Sequence, residues 1–244
     1  MKIVKLNAID STNSYLKSLV KETSVENWTV VTAEYQTKGK GQFDNNWISD
    51  KGKNLTFSIL TEFEEFSIDK QFYISKAISL AIYDTLSPIL STKINIKWPN
   101  DILAEHQKIC GILIENSVKK TKIKHSIVGI GLNVNQTVFQ NLPNATSMKL
   151  ISDKNFDLDE LLEGLVGSIK KHVALLNTND FDKIDSLYLK RLYKINIPTM
   201  FRDAKQTVFM GKIIGVSTEG RLRIELENET IKEFNLKEIQ FAGF

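Results

Sequence analysis

Cysteine is almost absent from the sequence: its 244 residues include a single one, Cys110. A lone cysteine cannot form an intramolecular disulfide, and this favours a reducing compartment. No apolar run is long enough to span a bilayer, and the N-terminus lacks the charged-then-apolar pattern of a secretory signal. We therefore expect a cytoplasmic protein with no membrane partner.

The sequence also has little excess of charge of either sign. Its 32 Lys and Arg residues against 29 Asp and Glu leave a net charge of +3 at pH 7, which is too small to argue for nucleic-acid binding. A hydrophobic content of 42% with 25% charged residues is ordinary for a globular protein. The length fits one large domain, or one domain with a small one attached.

Hydrophobic periodicity predicts a first domain in which strands and helices are mixed. Runs rich in β-branched residues predict strands, and apolar residues at helical spacing predict helices. The predicted strands cover residues 1–6, 28–35, 54–61, 94–98, 109–114 and 122–130, and the predicted helices follow residues 10–13 or cover 68–86, 157–176 and 181–193.

The pattern changes after Tyr193. Short alternating segments at residues 207–214, 221–226 and 230–234 are separated by turn-forming residues, which predicts a small β-barrel. We place the boundary near residues 195–198, and so predict one domain over residues 1–195 and another over residues 196–244.

The stretch KWPNDILAEHQKICGILIE, residues 97–115, carries the strongest functional signal. Asn100 and Asp101 follow a proline, which predicts a turn, and Ile109 and Ile112 begin a buried strand. Lys108 stands where a polar turn enters that strand, just before a small-residue step at which a ligand can approach the backbone. A lone lysine would be a surface cation more often than a ligand. The functional signal is therefore the combination of this lysine with the turn, the buried strand and the small residues beside it.

Three further segments could bind a small ligand. Asp10-Ser11-Thr12-Asn13 predicts a helix cap, whose hydroxyls and free N–H groups can also bind a polar ligand. Residues 36–42, QTKGKGQ, form a basic glycine-rich loop after a strand; such a loop can wrap an anion, although the Walker ending is absent. The segment 129–135, GIGLNVN, lacks the third glycine of a dinucleotide fingerprint.

The four motifs, taken in their order along the chain, resemble those of biotin protein ligases. The resemblance implies an α+β fold, with a class II aminoacyl-tRNA synthetase-like catalytic domain of mixed sheet and helices and a small SH3-like C-terminal β-barrel. It implies that ATP and biotin form biotinyl-5′-AMP, and that biotin then passes to a lysine of a biotin carboxyl carrier protein. Mg²⁺ is the implied cofactor. No helix-turn-helix precedes Asp10, so we expect the monofunctional type, which does not bind DNA.

The resemblance also implies roles for particular residues. Lys108, assisted by Lys40, would supply positive charge where the biotin carboxylate attacks the α-phosphate. The implied biotin contacts are Ser11, Thr12, Gln36, Gly39, Lys40, Lys108, Gly111, Gly129 and Gly131. The implied contacts to ATP and the adenylate are Lys40, Gln42, Trp47, Asn100, Lys108, Ile112 and Asn133. The metal ligands are not evident from the sequence.

The basic loop departs from the family pattern. Lys40 stands where arginine is commoner, Gln42 where a second arginine is frequent, and Phe43-Asp44-Asn45 replaces the usual x-Gly-Arg. Lysine lacks the planar fork of arginine, so these departures bear on how the adenylate is retained. A lipoate or octanoate ligase and a non-catalytic biotin-binding module are the alternative functions, and the oligomeric state is open.

Overall fold

The computed structural model describes residues 2–43 and 45–243, and these form two sheets and five helices. A single 3-10 turn, Ile68–Lys70, leads into the second helix. The strands and helices are, in chain order, β1 (Ile3–Leu6), α1 (Thr12–Glu22), β2 (Val30–Ala33), β3 (Leu55–Ser67), α2 (Gln71–Leu86), β4 (Ile94–Lys97), β5 (Asp101–Ala104), β6 (Gln107–Lys119), β7 (Lys122–Leu132), α3 (Met148–Ser152), α4 (Leu158–Asn177), α5 (Phe181–Lys190), β8 (Pro198–Asp203), β9 (Val208–Val216), β10 (Leu222–Leu226), β11 (Ile231–Phe234) and β12 (Ile239–Phe241).

The larger sheet has seven strands in the order β1-β2-β3-β7-β6-β5-β4. Strands β1 and β2 are parallel, and the other neighbours are antiparallel. The long strands β3, β7 and β6 lie at its centre and are buried on both faces over part of their length, which explains their continuous β-branched and aromatic runs. The functional motifs all lie at this centre or on loops beside it.

Helices cover both faces of the larger sheet. Helices α2 and α4 pack together over the main core, which includes Phe57 and Ile78. Helix α2 is apolar on nearly all sides because the sheet, α4 and α5 surround it. On the other face α1 buries Leu16 against Leu60 and Ile127. This helix begins at Thr12 because the Ser11 side chain caps it by accepting from the Ser14 N–H.

The smaller sheet is antiparallel, with five strands in the order β11-β10-β9-β8-β12. A hydrogen bond joins its β9–β10 turn to the segment that follows β4 of the larger sheet: the Trp98 indole Nε1–H donates to the Gly220 carbonyl at 2.9 Å. Gly220 has a φ of +91°, and a Cβ there would lie 2.5 Å from the Phe72 ring. The turn therefore needs glycine both for its backbone conformation and for its approach to α2.

The α+β class predicted from the sequence is confirmed, and so are the long elements. The prediction missed β5, β8, α3 and β12, and it extended the last helix past Lys190, where α5 ends. These missed elements have three to six residues each, too few to show a clear period. Among the described residues, no helix has the length and apolar character needed to cross a membrane.

Candidate functional site

A cavity of about 250 Å³ lies beside the centre of the larger sheet. It is lined by the N-terminus of α1, the loop between β2 and β3, strands β6 and β7, and the turn between β4 and β5. The smaller sheet also contributes, through Leu236, Lys237 and Ile239. We refer to it as the first cavity.

A hydrogen-bonded polar group lines the cavity at the N-terminus of α1. The Thr12 N–H and hydroxyl donate to Gln36 Oε1 at 2.8 and 3.2 Å. Ser58 Oγ lies 2.7 Å from Thr12 Oγ1 and 2.5 Å from Asn13 Oδ1. Ser11, Thr12, Asn13 and Ser58 are all buried. Buried hydroxyls and amides of this kind can both donate to and accept from a ligand.

Glycines of β6 and β7 form the floor of the first cavity. A Cβ at Gly129 would lie 2.2 Å from Asn13 Oδ1, and a Cβ at Gly131 would lie 2.3 Å from Trp47 Cε2. At Gly111 the corresponding distance to Trp47 Cζ3 is 3.1 Å. The absence of side chains thus lets Asn13 and the Trp47 indole approach the sheet. The Trp47 Nε1–H is buried and has no hydrogen-bond partner among the described residues.

Lys108 lies at the other end of this glycine floor. Its Nζ is 2.6 Å from Asp101 Oδ1 and would be 3.2 Å from a Cβ at Gly111. Across β6 and β7, Gly111 is paired with Gly131, and Leu113 is paired with Gly129. The end of the floor near Lys108 and the end near Asn13 are therefore two residues apart along the strands, or about 7 Å.

Two hydrogen bonds hold the backbone of Lys108 against the segment that follows β7. Its N–H donates to the Asn144 carbonyl at 2.6 Å, and its carbonyl accepts from Thr146 at 2.9 Å. Lys97 is close enough to interact electrostatically with Lys108: burial and the Lys108 charge lower the pKa of Lys97, Asp101 raises it, and the net pKa is about 8. Burial raises the pKa of the adjacent Cys110 thiol, which stays protonated.

A second cavity, of about 280 Å³, adjoins the first. The two cavities share Asn46, Trp47, Asp101 and Lys108. Asn133 also lines the second cavity and donates from Nδ2 to the Thr146 carbonyl at 2.9 Å. Lys108 and Asp101 therefore lie at the junction of the two cavities.

The structure brings together most of the site residues predicted from the sequence. Asn133 lines the second cavity, and Gly39 supports the loop, since its carbonyl accepts from the Trp47 N–H at 2.9 Å. Asp44, in the loop segment that departs from the family pattern, lies outside the described residues. The other predicted residues line the first cavity: Ser11, Thr12, Gln36, Lys40, Gln42, Trp47, Asn100, Lys108, Gly111, Ile112, Gly129 and Gly131.

Sequence reasoning missed several residues of the site. Asn13 and Asp101 belong to motifs already singled out, and their polar side chains beside predicted ligands were a usable signal. Leu236 and Lys237 gave no such signal, because they reach the cavity only through the docking of the smaller sheet. Among the described residues, no group of three or more His, Cys, Asp or Glu side chains is suited to hold a metal ion.

Comparison with known proteins places the chain among protein ligases. A family model described as "Biotin/lipoate A/B protein ligase family" matches residues 6–133. That range covers more than half of the sequence, and the chain therefore belongs to this family.

Relatives and solved structures agree with this membership. The bifunctional ligase/repressor BirA of Bacillus spizizenii is 27% identical, over 98% of this chain and 74% of the relative. A biotin--[acetyl-CoA-carboxylase] ligase of Paracoccus denitrificans is 28% identical, over 79% of this chain and 82% of the relative. The biotin protein ligase of Aquifex aeolicus, solved in complex with biotin and ATP, superposes with a TM-score of 0.80 at 26% identity, over 99% of both chains. The predicted class II synthetase-like fold is thereby confirmed.

Proposed function

We propose that the protein is an ATP-dependent biotin ligase, which forms biotinyl-5′-AMP and passes biotin to a lysine of a biotin carboxyl carrier protein. One observation carries the proposal: a single glycine-floored cavity has a buried hydrogen-bonding group at one end and the Lys108–Asp101 pair, 2.6 Å apart, at the other. Relatives named as biotin ligases, and a related structure that holds biotin and ATP, support it.

The polar end of the cavity suits a cyclic urea. A urea has two N–H donors and a carbonyl acceptor, so it needs partners of both kinds. The Ser11 hydroxyl can donate to the carbonyl. The Thr12 hydroxyl would turn from Gln36 Oε1 to donate to the same carbonyl, and this would free one lone pair of Gln36 Oε1, which keeps the Thr12 N–H at 2.8 Å, to accept from a ring N–H. We assign the ring to this end and the carboxylate to the Lys108 end.

The charged end suits attack on a phosphate. A carboxylate oxygen of biotin would form a bond to the α-phosphorus of ATP, and pyrophosphate would leave with the electrons of the broken P–O bond. Negative charge builds on the phosphoryl oxygens as this occurs, and a cation fixed beforehand stabilises that charge at little reorganisation cost. Asp101 holds the Lys108 ammonium at 2.6 Å, and Lys40 on the lining loop adds a second positive charge.

The second cavity suits the nucleotide. It adjoins Lys108 and is lined by Trp47, Asn133 and the 139–145 segment. The buried Trp47 Nε1–H, which lacks a partner in the described structure, is a donor that a substrate oxygen can satisfy.

Mg²⁺ is the metal that we propose for the reaction. In nucleotide sites this ion is usually held by one or two carboxylates together with phosphate oxygens and water. Asp101 is the carboxylate at the junction of the two cavities, so the donor set fits such an ion. When bound, Mg²⁺ offsets the charge of the phosphates.

Transfer completes the proposed reaction. The neutral amine of the acceptor lysine would bond to the acyl carbon, lose a proton and release AMP. We assign this chemistry to residues 1–195, with residues 196–244 as a second domain that helps to enclose the site, and we expect a cytoplasmic location.

Pyrophosphate release tests the proposal. We expect release that requires both ATP and biotin and that does not occur with lipoate or octanoate, because the Thr12–Gln36 group matches a urea rather than an acyl chain. Thr12→Val keeps the shape of the side chain and removes its hydroxyl, so it should weaken biotin binding about tenfold. Because the hydroxyl also bonds Gln36 and Ser58, the variant should lose about 1–3 kcal/mol of stability, and binding is measured at a temperature at which it is folded. Release with lipoate would instead support a lipoate ligase, and binding of biotin without release would support a non-catalytic module.

A further inference from the structure

Asn13 lies over a gap in the side chains of the larger sheet, at the polar end of the first cavity. Ser58 of β3, Gly129 of β7 and Leu113 of β6 are paired across the three strands. Gly129 has no side chain, and a Cβ there would lie 2.2 Å from Asn13 Oδ1. The Asn13 amide therefore occupies the space above this glycine, with β3 on one side of it and β6 on the other.

The two ends of this amide have different partners. Its Nδ2 group donates to Glu115 Oε2 at 3.1 Å and to the Leu113 carbonyl at 3.4 Å. Its Oδ1 atom accepts from the Ser58 hydroxyl at 2.5 Å. An ionised carboxylate and a backbone carbonyl can only accept hydrogen bonds. They therefore require the NH2 end of the Asn13 amide to face β6 and the oxygen end to face β3.

Glu115 is ionised at neutral pH although it is half-buried. Burial raises its pKa, but hydrogen bonds from Lys17 and Asn13, together with the charges of Lys17 and Lys40, hold the pKa of Glu115 below its ordinary value. The Lys17 ammonium lies 2.7 Å from Oε1, so each carboxylate oxygen has its own partner. Glu115 is not among the described residues that line the first cavity, so it can act on a ligand there through Asn13.

The oxygen end of the Asn13 amide is the end that a cyclic urea can use. Asn13 and Gly129 both line the first cavity, and Oδ1 lies over that glycine. A urea has two N–H donors, of which Gln36 Oε1 can accept one. Oδ1 has two lone pairs and uses one for the Ser58 hydroxyl, so the other can accept from the second N–H. A reversed amide would set its NH2 donors against that N–H.

We propose that Glu115 is a positioning residue for the biotin ring: it fixes the Asn13 amide with its oxygen toward β3 and the ring and its NH2 group toward β6. This inference rests on the proposed ligase function. It concerns the binding of the ring, whereas Lys108, at the opposite end of the floor, is assigned to the adenylation step. Loss of the Glu115 carboxylate should therefore weaken biotin binding without slowing the reaction of bound biotin.

Glu115→Gln tests this role, because glutamine keeps the size of the side chain but can turn either an oxygen or an NH2 group toward Asn13. We expect the Kd for biotin, measured by calorimetry without ATP, to rise about fivefold, since hydrogen bonds to ionised groups are stronger than neutral ones. KM for biotin should rise with it, while KM for ATP and the rate of pyrophosphate release at saturating biotin stay close to those of the wild type.

Lys17→Met is the matched control. It removes the partly exposed ion pair with Glu115 and leaves the bond between Glu115 and Asn13 in place. Exposed ion pairs contribute little, so biotin binding should stay within about twofold of wild type. A loss of affinity as large as that of Glu115→Gln would mean that Glu115 only holds α1 against the sheet, and would overturn the positioning role.

An exchange of the two polar groups gives a second test. Asn13→Asp sets a second carboxylate beside Glu115 and should weaken biotin binding about tenfold or more, since like charges then replace a hydrogen bond. The first turn of a helix favours an acidic residue, so the variant should fold. Addition of Glu115→Gln supplies an NH2 donor for the new carboxylate, and the double variant should bind biotin about threefold more tightly than Asn13→Asp alone.

Thermal unfolding of each variant sets the temperature at which binding is measured. A double variant that binds biotin no better than Asn13→Asp, or an unchanged Kd in Glu115→Gln, would overturn the positioning role. If Asn13→Asp does not fold, the comparison of Glu115→Gln with Lys17→Met decides. Absence of biotin binding by the unmodified protein would instead overturn the ligase function itself.

Discussion

The glycine floor predicts a large effect from one added methyl group. In Gly131→Ala the new Cβ would lie 2.3, 2.6 and 2.7 Å from three atoms of the Trp47 indole. Carbon atoms in ordinary contact are about 3.5–4.0 Å apart, so the ring must move by about 1 Å or more. Gly131 lies within β7 and does not have a positive φ, so the effect would come from this contact and not from backbone strain.

The displacement should be felt in catalysis more than in stability. Misplacement of about 1 Å in a reacting site costs on the order of 10²-fold in rate, while overpacking costs about 1–3 kcal/mol of unfolding free energy. We expect adenylate formation by Gly131→Ala to fall about 10²-fold in a protein that still folds. Gly111→Ala should be milder, because its Cβ would lie 3.1 Å from Trp47 and 3.2 Å from the flexible end of Lys108.

The assay combines pyrophosphate release with thermal unfolding and tryptophan fluorescence. Gly167→Ala is the matched control: it lies on the exposed face of α4, its Cβ would meet nothing within 4 Å, and the change should stabilise the helix by about 1 kcal/mol without affecting activity. A Gly131→Ala protein with the wild-type rate and unchanged tryptophan fluorescence would refute the packing of the Trp47 indole on β7.

Three other predictions concern charges in the site. Lys108→Ala should slow adenylation by about 10²–10³-fold, measured in a single turnover, and a wild-type rate would refute its assigned role. Lys97 lines the second cavity, to which we assign the nucleotide, and burial and Lys108 lower its pKa to about 8 against the opposing effect of Asp101, so its positive charge is present below that pH and lost above it. We therefore expect KM for ATP to rise above pH 8 in the wild type but not in Lys97→Arg, and an equal rise in both would contradict this. Gln42→Arg should add about 1 kcal/mol to retention of the adenylate and slow its release severalfold; an unchanged release rate would show that residue 42 does not contact the phosphate.

Local sequence patterns predicted the parts of the fold that have a clear period. Helix α1 follows from its Ser11 cap, and β7 from a run of β-branched residues that ends at glycines. Strand β5 was missed because its four residues lie between two turns, and only pairing with β4 and β6 makes it a strand. Short strands acquire their identity from neighbours rather than from their own residues.

The candidate site shows the same limit. Lys108 could be singled out from its neighbours in sequence, but its 2.6 Å contact with Asp101 depends on the register between β5 and β6. The contributions of Leu236 and Lys237 depend on how the smaller sheet packs against the larger one, which no local pattern encodes. Motif order identified the family, and tertiary packing decided which polar groups share a cavity.

Mass analysis of a carrier domain after incubation with the protein, ATP and biotin tests the central claim most directly. We predict that one lysine of the carrier gains biotin through an amide bond, that the product requires ATP, and that lipoate does not replace biotin. A carrier left unmodified under conditions in which the protein binds biotin, or modified by lipoate instead, would contradict the account.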